Sequence, residues 1–291
     1  MDVAYLPGMK PAALPAPAAP LPLGHSTNLV GVPSGLLASA AFNDHPLRLH
    51  ISGVRETSPA LFRMLADATC AEEAVDAFQK YMAAVFGVNE GGERRDRPDG
   101  GAPGGRRLFR SSYRRLLQGW GFDANNPEGA VLKGWVESRF GLLPTFHKAP
   151  LGRYPSRAWM TYVEEKMSAR FHNNSIQLQL DLLYEYCQWM LARYTFPSRR
   201  HLTLYRGVND LSEHHVVATL GKREAIVRQN NLISFTDDRE VADQFGDTIL
   251  EVQVPLVKIL FFNGLLPGSV LKGEGEYLVI GGDYRVQMAY Y

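Results

Sequence analysis

Two carboxylates, Glu274 and Glu276, stand two residues apart in the stretch LKGEGEYLVIGG, between a glycine-rich turn and an apolar run. If a strand begins at the first of them, both side chains lie on one face of it. One interpretation of this like-charged pair is a charged strand edge that resists aggregation. The other is chemical, because paired acids can stabilise a developing cation and take up a proton.

Two further short segments carry groups that could bind a ligand. Arg206, in LYRG, has apolar neighbours. Its guanidinium could bind a phosphate or diphosphate, or it could form an ordinary salt bridge at a strand end. Gly207 leaves backbone polar groups open to a ligand. In SFT, Ser234 and Thr236 share one face of a strand, a pattern that is also typical of a solvent-exposed β surface.

The elements that must position these groups are strands. From residue 201 onward the predicted strands are HLTLYRGV, NLISFT, TILEVQVP, KILFFN, EYLVIGG and YRVQMAYY. No crossover helix separates the last four, which predicts a mixed or antiparallel sheet. We expect a short helix within SEHHVVATLGKREAIVRQN, and another in DDREVADQFG that is capped by Asp237 or Asp238.

The residues before this sheet are predicted to be mainly helical. Apolar spacing and start signals predict helices that begin near Pro59, Ala71, Pro127 and Asn174, and the last ends before Pro197. The fold class is therefore α+β, with a helical N-terminal part packed on the sheet.

Composition divides the chain into three parts. Residues 1–24 mix six prolines with alanine and predict a disordered arm rather than a signal peptide. Residues 25–200 form the mainly helical part, and within them residues 90–107, rich in Gly and Arg, are expected to be a mobile loop. Residues 201–291 form the β-rich part.

Several classes of protein are disfavoured. A net charge of +1 argues against nucleic acid as a partner, and no apolar run reaches the length needed for membrane insertion. Two distant cysteines fit neither a disulfide framework nor a zinc site, and we expect no metal and a reducing, cytoplasmic setting. The glycines of GEGEYLVIGG precede a strand, whereas a dinucleotide-binding fingerprint precedes a helix.

Taken in order, LYRG, SFT and EGE resemble the R-S-E branch of the ADP-ribosyltransferase superfamily. The family triplet is S-T-S-like, so Phe235 and Thr236 depart from it, which puts only the contribution of Thr236 in doubt. The block FHNNSIQLQLDLLYEYCQWMLARY, with LYRGVND after it, looks like that of the dinitrogenase reductase ADP-ribosyltransferases of nitrogen-fixing bacteria. This resemblance implies a split β-sheet core and NAD as co-substrate. It also implies that residues 201–291 are the NAD-binding catalytic core and that the whole forms one compact catalytic unit.

The resemblance also implies roles for the residues that bind NAD. Arg206 would hold the diphosphate and the adjoining ribose. Gly207 would offer backbone groups to the nicotinamide amide. Ser234, with Thr236 beside it in the triplet, would orient Glu276.

The catalytic roles implied by the resemblance fall on the two acids. Glu276 would bind the ribose 2′-hydroxyl and stabilise an oxocarbenium-like transition state, while Glu274 would orient and deprotonate an acceptor arginine. The implied reaction is transfer of ADP-ribose from NAD to an arginine of dinitrogenase reductase, the iron protein of nitrogenase, which inactivates it. A PII-type signalling protein would be the regulator.

Three alternatives remain open. The chain could be an NAD glycohydrolase, or an arginine ADP-ribosyltransferase with another protein target. It could also be a catalytically dead scaffold that binds partners through its helical part, although the intact set of Arg206, Ser234 and Glu276 argues against this.

Overall fold

The structure, a computed structural model, describes residues 24, 27–88, 112–168, 174–209, 215–268, 270–271, 273 and 275–290. The predicted arm, apart from Gly24, and the predicted loop at 90–107 lie outside these residues, as does Glu274. The division into a helical part and a catalytic core stays a prediction.

Ten helices occur within the described residues. Nine precede the main sheet, and α9 continues into a short π-helical turn at Leu191–Thr195. The helices are α1 Ser34–Leu37, α2 Ala40–Asp44, α3 Val54–Thr57, α4 Pro59–Asp67, α5 Ala71–Phe86, α6 Tyr113–Phe122, α7 Pro127–Phe140, α8 Arg157–Lys166, α9 Asn174–Met190 and α10 Arg239–Asp243.

Local signals account for where several helices begin and end. Asn126 caps α7, since its side chain accepts from the Gly129 backbone N–H at 2.7 Å, and Pro127 fills the first position. Gly87 closes α5 in the left-handed conformation, at a φ of 68°. Asp238 caps α10. The starts predicted at Pro59, Ala71, Pro127 and Asn174 are confirmed.

Two short strands pair in a hairpin and six longer ones form the main sheet. The hairpin strands are β1 Phe146–His147 and β2 Ala149–Pro150. The main sheet contains β3 His201–Val208, β4 His215–Gly221, β5 Glu224–Thr236, β6 Thr248–Pro255, β7 Ile259–Phe262 and β8 Glu276–Tyr290, and all their pairings are antiparallel.

The long strand β8 organises this sheet. β5 runs beside it for most of its length, while β7 and then β6 pair with its other edge. β3 pairs fully with β6 but meets β5 only at Tyr205 and Thr236. The strands β5, β8, β6 and β3 thus close into a ring that opens between β3 and β5, next to Arg206.

One predicted element is wrong. A short helix was expected between residues 212 and 230, but the described part of that segment is a hairpin of β4 and β5, with Val216 opposite Val227. β5 pairs with β4 on one edge and β8 on the other. These cross-strand contacts outweigh a local helical preference, which is a weak determinant by itself.

The helical part packs directly on the sheet, which confirms the α+β fold class. Tyr184 in α9 donates to the Val257 carbonyl at 2.8 Å, and Gln188 donates to the carbonyls of Leu256 and Ile259 at 3.0 and 2.8 Å. Cys187, between them, is fully buried, and burial raises the pKa of its thiol. None of the helices in the described ranges is both long and apolar enough to cross a bilayer.

Candidate active site

Ser234 and Glu276 meet where β5 ends and β8 begins. Thr236 lies opposite Glu276 in the register, so Ser234 is its diagonal neighbour. The Ser234 hydroxyl donates to Glu276 Oε1 at 2.6 Å, and the Gly273 backbone N–H donates to Oε2 at 3.2 Å. Each oxygen of the Glu276 carboxylate therefore accepts a hydrogen bond, which fixes the carboxylate in place.

Arg206 reaches across the opening between β3 and β5. Its Nη1 donates to the Ser234 carbonyl at 2.9 Å, while its buried Nε has no hydrogen-bond partner among the described residues. Burial lowers the pKa of the guanidinium, and the negative charge of Glu276 opposes that shift. An arginine stays charged in proteins, so Arg206 presents a cation with a donor still to be used.

The residue between the two acids has to be glycine. Gly275 has a φ of 59°, and a Cβ there would lie 2.0 Å from Asp237 Oδ1. The Asp237 N–H donates to the Gly275 carbonyl at 3.1 Å, and the Tyr277 hydroxyl donates to Asp237 Oδ2 at 3.2 Å. This network holds Glu276 at the first residue of β8; the position of Glu274 is outside the described residues.

Thr236 and Gly207 have local structural reasons for their residue types. Thr236 Oγ1 accepts from the Asp238 N–H at 3.1 Å and so shapes the turn into α10. A Cβ on Gly207 would lie 2.0 Å from the Ala242 carbonyl oxygen, so only glycine lets α10 pack on β3. The ligand-binding roles expected for these two residues stay predictions.

A cavity of about 970 Å³ lies beside this cluster. Arg206, Ser234 and Gln229 line it from the sheet, and aromatic side chains such as Trp120 and Trp159 line it from the helical part. Gln229 is only 2 % exposed, yet its Nε2 has no hydrogen-bond partner in the described structure. Since buried polar groups are nearly always paired, these two unpaired donors make the sheet side of the cavity the candidate wall for a ligand.

Comparison with known proteins shows the family of this chain. The model of the family described as "Dinitrogenase reductase ADP-ribosyltransferase (DRAT)" matches residues 27–288. The chain belongs to the dinitrogenase reductase ADP-ribosyltransferase family. A protein of Rhodospirillum rubrum, named NAD(+)--dinitrogen-reductase ADP-D-ribosyltransferase, is 60% identical over 269 residues, which are 92% of this chain and 96% of that protein. No solved structure matches the chain.

The dinitrogenase reductase ADP-ribosyltransferase family therefore spans the helices as well as the sheet. The three motifs cover only about residues 200–291, whereas the family match begins at residue 27. The resemblance drawn from the residues is confirmed. The match therefore covers the helical part as well as the motifs, and their union in one catalytic unit stays a prediction.

Trp120 is the site residue that motif analysis missed. In this member of the dinitrogenase reductase ADP-ribosyltransferase family its indole N–H donates to the Ser234 hydroxyl oxygen at 2.9 Å, and the side chain is 4 % exposed. It lies in α6, 114 residues before Ser234. A buried tryptophan needs a partner for its N–H, but nothing in the sequence shows which residue supplies it.

Lys133 was also not predicted. Its buried ammonium donates to Asn125 Oδ1 at 3.0 Å and the Phe146 carbonyl at 3.1 Å, and lies 3.3 Å from His147 Nδ1. Burial lowers its pKa to about 8, although the charges of Asp123 and Glu165 oppose the shift. An ammonium has three donors, so these contacts use all of them and Lys133 holds the cavity wall together. The described residues contain no group of three or more His, Cys, Asp or Glu side chains that could hold a metal.

Proposed function

We propose that this enzyme transfers ADP-ribose from NAD to an arginine of dinitrogenase reductase and thereby inactivates it. The proposal is supported by the family to which the chain belongs and by the name of the Rhodospirillum rubrum relative. The observation that carries it is the Arg206–Ser234–Glu276 cluster, in which Arg206 and Ser234 line one large cavity and the Ser234 hydroxyl holds the Glu276 carboxylate.

The fixed carboxylate suits the bond that breaks. Loss of nicotinamide leaves positive charge on the ribose, in a transition state like that of glycoside cleavage. Glu276 is held at both oxygens before the reaction, so it can stabilise this charge without costly reorganisation. The electron pair of the broken C–N bond leaves with nicotinamide, which departs as a neutral molecule.

The cavity has the size and chemistry for NAD. A volume of about 970 Å³ lies at the upper end of the range for small-molecule sites. The Arg206 guanidinium suits a phosphate oxygen, and the Gln229 amide can donate to an oxygen or a ring nitrogen of the nucleotide. Trp159 and the other aromatic side chains supply apolar surface for the rings.

Glu274 is the proposed base for the acceptor. A guanidinium nitrogen becomes nucleophilic only when it gives up a proton, and a carboxylate beside it can orient it and accept that proton. The nitrogen then forms the new bond to the ribose carbon that nicotinamide leaves. This assignment rests on the E-x-E pattern, because Glu274 is outside the described residues.

Three further parts of the proposal rest on the family resemblance and, for the location, on the two distant cysteines. A PII-type signalling protein is the proposed regulator, which would bind and set the activity. The proposed location is cytoplasmic, where NAD and the target protein would both be available. Modification of an arginine at the target's docking surface would block electron delivery through its bulk and negative charge.

The test is transfer from labelled NAD to purified dinitrogenase reductase, with and without a PII protein. Label that mass spectrometry maps to one arginine, and that Glu276→Gln abolishes, would support the proposal. Nicotinamide release without labelled protein would point to an NAD glycohydrolase or another target. A folded protein that binds partners but turns over no NAD would be a scaffold, which contradicts the proposal.

Glu274→Gln separates the two acids. We expect this variant to lose arginine transfer while it retains part of the NAD hydrolysis, because only the acceptor needs the second carboxylate. Parallel loss of both activities would show that Glu274 is not specific to the acceptor.

A further inference from the structure

A chain of hydrogen bonds links the helical part to the catalytic carboxylate. The Trp120 indole N–H donates to Ser234 Oγ at 2.9 Å, and Ser234 Oγ donates to Glu276 Oε1 at 2.6 Å. The three residues lie on α6, β5 and β8, which are far apart in sequence. The bond from α6 therefore ends on the residue that fixes Glu276.

The donors and acceptors of each residue determine the direction of these hydrogen bonds, from Trp120 through Ser234 to Glu276. An indole N–H can only donate, while a serine hydroxyl has one proton and two lone pairs. When Trp120 occupies a lone pair of Ser234, the hydroxyl proton is left for Glu276. Without the indole, the Ser234 hydroxyl is free to rotate and donate elsewhere. Glu276 would then lose one of the two hydrogen bonds that hold its carboxylate.

The neighbours of Trp120 hold the indole in place. Asn126 donates to the Gly119 carbonyl at 2.7 Å, just before Trp120. A Cβ on Gly119 would lie 2.6 Å from Glu128 Cβ, so α6 packs closely on α7. The Lys133 ammonium lies 5.9 Å from the centre of the indole ring, in the range of a cation–π contact. The indole is thus packed from several sides.

We propose that Trp120 is a positioning residue, which acts through Ser234 to hold the Glu276 carboxylate for reaction. The helical part therefore completes the active site, and the β-rich core does not contain all of it. This inference rests on the proposed function for its kinetic consequence, but the hydrogen bond itself can be tested without turnover.

The kinetic test is a double-mutant cycle of Trp120→Phe and Ser234→Ala, with nicotinamide release from NAD as the readout. Phenylalanine keeps most of the ring packing and removes the donor. We expect Trp120→Phe to lower kcat about fivefold to tenfold, the value of one hydrogen bond, with little change in the KM for NAD. In the Ser234→Ala background the same change should have almost no effect, because the residue it acts through is gone.

Trp135→Phe is the matched control. The Trp135 indole donates to Asp181 Oδ1 at 2.8 Å, and the side chain is fully buried away from the cluster. Trp135→Phe should lower Tm. If it also lowers kcat, the factor should be the same in the wild-type and the Ser234→Ala backgrounds. If Trp120→Phe behaves in this way, or has no effect on kcat, the inference is wrong.

The second test uses the indole N–H signals of the ¹⁵N-labelled protein, which has four tryptophans. Trp120→Phe identifies the Trp120 signal. That signal should shift, and its N–H should exchange faster, in Ser234→Ala, while the Trp135 signal stays in place. An unmoved Trp120 signal would overturn the inference even if no variant turned over NAD. If the Trp120 signal shifts in Ser234→Ala but the wild-type protein does not turn over NAD, the hydrogen bond is supported and the proposed function is contradicted.

Discussion

On the sheet side of the cavity, two buried polar groups keep hydrogen-bonding capacity, whereas two polar groups on the helical side use theirs up. Arg206 Nε and Gln229 Nε2 are buried and have no partner among the described residues. Across from them, the contacts of the Lys133 ammonium account for all three of its donors, and the Trp159 indole donates to the Gly152 carbonyl at 2.8 Å. We therefore expect the sheet side to bind the polar groups of the ligand, while the polar groups of the helical side hold the cavity in shape.

Glu276→Gln is the change from which we expect the largest effect. It keeps the shape of the side chain and removes the negative charge that we propose stabilises the forming cation. Transfer should fall by about 10²–10³-fold or more, while NAD still binds. Initial rates together with NAD binding by calorimetry would test this, and equal activity of mutant and wild type would contradict the assignment.

Arg206→Lys probes the ligand-binding side. Lysine keeps the positive charge but lacks the planar guanidinium group. In Arg206 the Nη1 of that group donates to the Ser234 carbonyl, and its Nε has no partner among the described residues. At about 1.5–3 kcal/mol for a charged hydrogen bond, kcat/KM for NAD should fall by about 10- to 150-fold. Circular dichroism would check the fold; full activity in a folded variant would show that the fork is not used.

Lys133→Met probes the supporting side. It leaves Asn125 Oδ1, the Phe146 carbonyl and His147 Nδ1 without their shared donor. The free energy of unfolding should fall by about 1–3 kcal/mol, with a smaller change in the KM for NAD than Arg206→Lys produces. If the change in KM, expressed as a free energy, exceeds the fall in the free energy of unfolding, the polar groups of the helical side also bind the ligand. The contrast between the two sides then fails.

The same lysine should make stability depend on pH. Its pKa is lowered to about 8 in the folded protein, against about 10.4 in an unfolded chain. Between these values the unfolded chain holds the proton and the folded protein does not, so Lys133 makes the free energy of unfolding rise with pH. The rise should approach about 1.4 kcal/mol per pH unit. Urea unfolding across this window should show a smaller slope in Lys133→Met; identical slopes would contradict the prediction.

Gln229→Met should have the smallest effect and sharpens the comparison most. Methionine fills a similar volume without a polar group. Because Gln229 Nε2 has no partner among the described residues, the change removes no hydrogen bond of that atom. Stability should stay the same or rise, while the KM for NAD rises about fivefold, the value of one neutral hydrogen bond. A loss of stability without a change in KM would show that the amide has a structural partner.

Local features of the structure could be predicted from the sequence. The starts of α4, α5, α7 and α9 followed from caps, prolines and apolar spacing, because these signals act within one or two turns of the chain. The expected helix before β5 was wrong, since pairing with β4 and β8 decided that segment. The motif residues Arg206, Ser234 and Glu276 were found because each lies in a short segment of recognisable pattern.

The sequence by itself thus determined the fold class, the family and the residues of its motifs. Only the tertiary structure decided how those residues meet: Ser234 on Glu276, Arg206 on the Ser234 carbonyl and Trp120 on Ser234. The physical reason is distance along the chain. A strand has a two-residue period that can be read locally, but the register between β5 and β8 and the packing of α6 against them are fixed by contacts between residues that are 42 and 114 positions apart.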